Sequence, residues 1–107
     1  MVIFYLHYKY MSSYVIKPLQ TEKATKLKVT IKPSTNKKKK IDVYNKDDKK
    51  IASIGAFGYK DYATYLTLLT KAEANKKRKN YLARHAKEPK TKDGKKTNSY
   101  WADKILW

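Results

Sequence analysis

The stretch SIGAFGYKDY, Ser53 to Tyr62, divides the chain into two periodicities. Before it, apolar residues alternate with polar ones in short runs. After it, they recur every three or four residues. A period of two marks a half-buried strand, and a period near 3.6 marks a helix with one apolar face. Gly55 and Gly58 bracket the junction, and glycine enters backbone conformations closed to other residues. Asp61 follows where a helix N-cap would stand. The junction therefore predicts a small sheet that hands over to a helix, an α+β fold.

Three segments supply the sheet: KLKVTI (Lys26 to Ile31), KKKKIDVY (Lys37 to Tyr44) and IASI (Ile51 to Ile54). The polar clusters PSTN and NKDDKK between them read as turns, so the order is an antiparallel meander. The alternating VIFYLHY near the N-terminus offers a fourth strand or an extended arm. A sheet this small needs a cover for its apolar face. The expected cover is one long basic helix from Asp61 to about Lys87, a span free of Gly and Pro. Tyr62, Leu66, Leu69 and Ala72, then Tyr81 or Leu82 and His85, mark its apolar stripe. A break is expected near Asn75, with Pro89 as the stop. EPKTKDGKKTN reads as a charged loop, and SYWADKILW as a short C-terminal helix capped by Ser99. Residues 1–25 read as an N-terminal arm or an extension without fixed structure, with 17–25 as a linker or a short turn of helix, and 26–107 as one domain. Tyr62, Tyr81, Trp101 and Trp107 are the expected aromatic core, joining the C-terminal end to the sheet–helix junction.

Charge carries the functional information. The 107 residues hold 26 Lys and Arg against 9 Asp and Glu, a formal net charge of +17. Self-repulsion on that scale is relieved by a polyanion. Arg78 and Arg84 are the only arginines. Lysine neutralises phosphate as a point charge and reads bases poorly, so any nucleic-acid contact should ignore base sequence. The candidate binding residues are Lys37, Lys38, Lys39 and Lys40 in one run, and Lys76, Lys77, Arg78, Lys79 and Arg84 in the other. Tyr59, Tyr62, Tyr65, Trp101 and Trp107 are ring systems that stack on bases or fill a core. Tyr10 and Tyr14 are candidate interface residues.

Several chemistries find no support. There is no cysteine, which excludes disulfides and thiolate ligands. His85 and His7 stand without a catalytic constellation, and Asp47 and Asp48 fall in a turn. GAFGY lacks the pattern of a phosphate-cradling loop. No catalytic residue, metal site, cofactor or small-molecule substrate is expected. No run approaches the roughly 20 apolar residues of a membrane span, and VIFYL is short for a secretory leader. Met11 offers an alternative start.

In combination, KKKKIDVY, KKIASIGAFGYKDY, KRKNYLARH and the closing SYWADKILW resemble a family of small basic proteins of giant nucleocytoplasmic large DNA viruses. Its members share a Gly-x-x-Gly-Tyr-x-Asp-Tyr turn, a basic helix with Tyr-Leu-x-Arg-His, and a terminal Leu-Trp. The resemblance covers Leu27 to Trp107, with TYLTLLTKAEA (Thr64 to Ala74) as an insertion. It implies a virion component, a minor capsid or core protein, found in the particle and in the host cytoplasm or viral factory during assembly. Charge and resemblance together give a non-enzymatic structural protein that binds acidic surfaces of viral capsid or core proteins. The alternative is a sequence-independent DNA-binding or packaging protein.

Overall fold

A computed structural model of the chain describes residues 14–107. The expected fourth strand or arm, with His7, Tyr10 and Met11, lies outside the described residues. The elements are α1 (Pro18–Lys26), β1 (Thr30–Pro33), β2 (Lys39–Tyr44), β3 (Lys50–Ala56), α2 (Tyr62–Leu68), α3 (Lys71–Arg84), β4 (Thr91–Lys92), β5 (Lys95–Lys96) and α4 (Asn98–Ile105). The fold is α+β, with a three-stranded antiparallel meander in the order β1-β2-β3 and a two-stranded hairpin, β4-β5.

Register follows from the apolar alternation. Ile31 pairs with Val43, Ile41 with Ile54, and Val43 with Ala52. A one-residue slip would turn these side chains out of the core. Ile41, Val43, Ala52 and Ile54 form the core with Trp101, Ala102, Ile105 and Leu106 of the C-terminal segment.

α4 thus covers the sheet, not the long basic helix expected. The reason is composition. α4 offers Trp101, Ala102 and Ile105 on one side, whereas α3 buries only Ala74. Six cations leave α3 no face fit for an apolar sheet.

The long helix is also two helices. Asp61 caps α2 as expected, accepting from the Thr64 N–H at 3.0 Å. The break falls at Leu69–Thr70 rather than near Asn75. Thr70 caps α3 by accepting from the Glu73 N–H at 3.2 Å, and Glu73 Oε1 accepts from the Thr70 N–H at 3.2 Å. This T-x-x-E capping box starts a helix wherever it falls. α3 ends at Arg84, before Pro89 is reached.

Three boundaries differ in the same local way. Residues 14–26 join the domain rather than an arm: the short turn of helix allowed for 17–25 is α1, which starts on Pro18, and Gln20 and Ala24 are buried. The first strand begins at Thr30 because Lys28 turns through φ 61° on leaving α1. α4 is capped by Thr97, whose Oγ1 accepts from the Tyr100 N–H, and not by Ser99.

Gly55 is required where it stands. Its φ is +80°, and a Cβ there would lie 2.8 Å from Leu106 Cδ1 and 2.9 Å from Lys40 Cδ. Gly58 has φ +96° with nothing within 4 Å, so only its turn demands glycine.

Candidate polyanion-binding surface

The two cation runs of the sequence have opposite fates. In the first, Lys37 and Lys38 are exposed in the β1–β2 turn and Lys39 is half-buried. Lys40 is not available to a partner: it is 3% exposed and its Nζ lies 3.1 Å from Asp61 Oδ2. The same Asp61 oxygen accepts from the Tyr14 hydroxyl, and Gln20 Nε2 donates to Tyr14 Oη at 2.7 Å. Burial pulls the Lys40 ammonium below its ordinary value, against the opposing Asp61 charge. Burial pushes Asp61 up, but the Tyr14 hydroxyl, the Lys40 ammonium and the Thr64 bonds outweigh it and leave the carboxyl low. A buried pair of charges is tolerated only with such added hydrogen bonds. One aspartate thus caps α2, neutralises β2 and anchors Tyr14.

Two residues along β2, Asp42 is fully buried and accepts from Ser53 Oγ at 2.6 Å, Ser34 Oγ at 2.7 Å and the Thr35 N–H at 3.2 Å. Lys50 Nζ approaches to 3.3 Å. Burial raises the carboxyl, but these donors dominate and hold it at about 2.

The second run lies on α3. Lys71, Lys76, Lys77, Arg78, Lys79 and Arg84 face a single acid, Glu73, which the capping box uses. No ion pair among the described residues involves any of these six cations. The inward stripe is Ala74, Arg78, Tyr81 and His85, spaced at four, three and four. Arg78 is therefore half-buried, its guanidinium carbon 4.4 Å from the Tyr62 ring centroid. Tyr62 also donates to Asn75 Oδ1 at 2.6 Å, and its N–H donates to Leu106 O at 3.0 Å. Lys71, Lys76, Lys77, Lys79 and Arg84 remain exposed.

The expected aromatic core is divided. Trp101 and Tyr62 are buried. Tyr81 and Trp107 are half-buried and stack, with centroids 4.2 Å apart and planes 9° from parallel; Tyr81 also stacks with His85 at 4.2 Å. Burial and the charges of Asp103 and Glu88 push the Tyr81 phenol up to about 12. These rings wall a cleft of about 500 Å³ between β3, the end of α3 and the start of α4. Glu88, the one acidic side chain lining it, accepts from Ser99 Oγ at 2.8 Å and holds His85 Nδ1 at 2.7 Å. His85 thus packs and pairs with a carboxylate.

The β4–β5 hairpin was not anticipated. It presents Lys92, Lys95 and Lys96 around a turn in which Asp93 and Gly94 have φ 54° and 77°. Asp-Gly is the strongest short hairpin signal, and it stood in the segment read as a loop. Lys90 fixes the hairpin's base: its Nζ lies 2.8 Å from Asp103 Oδ2 and donates to Ser99 Oγ at 2.6 Å.

Among the described residues no acid and histidine group has the arrangement of a metal site. None of their helices is long and apolar enough to cross a membrane. Comparison of the chain with protein-family models, with curated proteins and with solved structures finds no match.

Proposed function

We propose that the protein is a non-enzymatic basic structural component of a large DNA virus particle, joining acidic surfaces of neighbouring capsid or core proteins. The observation that carries this reading is the row of exposed cations on α3 without an ion pair among the described residues. Like charges one turn apart repel. A helix that keeps them uncompensated gains stability when an anionic surface docks. The resemblance to small giant-virus proteins supplies the viral setting.

The test is an anisotropy titration of the protein against labelled polyglutamate and against duplex DNA, each at two salt concentrations. Tight polyglutamate binding that falls at least tenfold in a K76E/K77E/K79E variant supports the reading. Binding that ignores those charges overturns it. A clear preference for duplex, with a slope of about −0.9 in log K per phosphate, would move the function to DNA packaging. Mass spectrometry of purified particles then checks the location.

A further inference from the structure

The aromatic cleft shares Arg84 with the exposed cations of α3 but is lined mostly by other elements, and its chemistry differs. Its outer residues are Lys60 and Arg84, both exposed, and Lys39, half-buried. None of the three has an ion pair among the described residues. They come from the start of β2, the β3–α2 loop and the last turn of α3, so the positive charge is spread around the opening rather than focused on one point. Glu88 is already held by His85 and Ser99.

The walls are rings: Tyr81 stacked on Trp107, and Tyr65 tilted at 6.1 Å from Trp107. Tyr59 stands at the entrance, 76% exposed. A phenol left so open in a short loop gains nothing for the fold. It is a free platform beside three cations. Among the lining residues, Asn98 is exposed; its Oδ1 accepts from the Ser53 N–H at 3.3 Å, and its amide donors have no partner among the described residues.

From this we infer that the cleft is a binding site for single-stranded nucleic acid, with one unstacked base on the open Tyr59 ring and against the edge of the Trp107–Tyr81–His85 stack, in which both faces of Tyr81 are taken, and the backbone across Lys39, Lys60 and Arg84. Rings next to cations are the recurring chemistry of strand-binding grooves, where bases stack and phosphates are neutralised. The volume lies within the range of small-ligand clefts, about 300–1,000 Å³. It admits separate bases but not the paired, stacked interior of a duplex. An acidic peptide would use the cations and leave the rings idle. A free nucleotide would want the positive charge gathered on one phosphate group. Arg84 is the one cation this inference shares with the reading of α3; the rings, Lys39 and Lys60 belong to the cleft alone.

The experiment uses a fluorescein-labelled ten-nucleotide oligothymidylate and the full chain, followed by anisotropy. Binding is expected, with tryptophan fluorescence quenched on saturation. Tyr59→Ala, which removes an exposed side chain and leaves folding intact, should weaken it by about fivefold to a hundredfold, the value of one stacked base. Trp107→Phe should keep the binding and lose the quenching, since Trp101 is buried. The K76E/K77E/K79E variant should retain the Tyr59 dependence, which separates this test from that of α3. Equal affinity in the Tyr59 variant overturns the inference. So does displacement by thymidine monophosphate, polyglutamate or an equal length of duplex at the same concentration.

Discussion

β2 and α3 contain the same kind of residue run and put it to opposite uses. KKKKIDVY directs a lysine and an aspartate into the interior; KKRKNYLAR keeps nearly all its charge outside. The difference is not charge density but what stands opposite. Asp61 reaches Lys40, and Ser34, Thr35, Ser53 and Lys50 reach Asp42. The one acid on α3, Glu73, is engaged in the capping box and makes no ion pair among the described residues. Charge in β2 therefore specifies the fold, and charge on α3 is available to a partner.

The largest expected effect tests the first half of this contrast. Asp61→Ala strands the Lys40 ammonium and removes the α2 cap, and should cost about 3–5 kcal/mol in urea unfolding. Asp61→Asn keeps a capping side chain and should cost less. A loss below about 1 kcal/mol for Asp61→Ala would mean that the buried pair does not organise the fold, and the contrast fails.

A smaller effect belongs to Asp42. Its folded carboxyl lies at about 2 against an ordinary 3.8. A depressed carboxyl contributes stability that is whole above its unfolded value and is lost as pH falls through the folded one. Stability should therefore drop by about 2 kcal/mol between about pH 4 and pH 2. Ser34→Ala with Ser53→Ala should flatten that drop. An unchanged acid profile in the double variant would show that the hydroxyls do not hold the charge.

The smallest effect is expected where the charge is most conspicuous. K76A/K77A/K79A should shift stability by no more than about 0.5 kcal/mol, as exposed substitutions do, with a slight gain where repulsion is relieved. A marked loss would show that α3's lysines serve the fold after all.

The meander was legible because Leu27, Val29, Ile31, Ile41 and Val43 alternate, and the Asp61 cap because the residue type and place agree. The cover of the sheet was not. Pattern counts apolar positions, and the 26-residue stretch after Asp61 offered more of them than α4 does; which helix meets the sheet is decided by how densely one face is apolar. The breaks at Thr70 and Asp93–Gly94 were visible as T-x-x-E and Asp-Gly, but each was absorbed into a longer reading. Lys40 was illegible in kind. A run of four lysines carries no mark of the one that meets Asp61, 21 positions away. The cleft was equally hidden, because Tyr59, Tyr81, Arg84 and Trp107 come together only through the fold.

The seclusion of Lys40 also turns the lysine-rich surface into a measuring device. Among the described residues it is the only buried lysine. An amine-directed acylating reagent should modify its neighbours Lys37 and Lys38 and spare it until the chain opens. Mass mapping of the acylated sites would then chart whatever docks on the protein, patch by patch, with Lys40 as the internal record of whether each molecule was still folded when labelled.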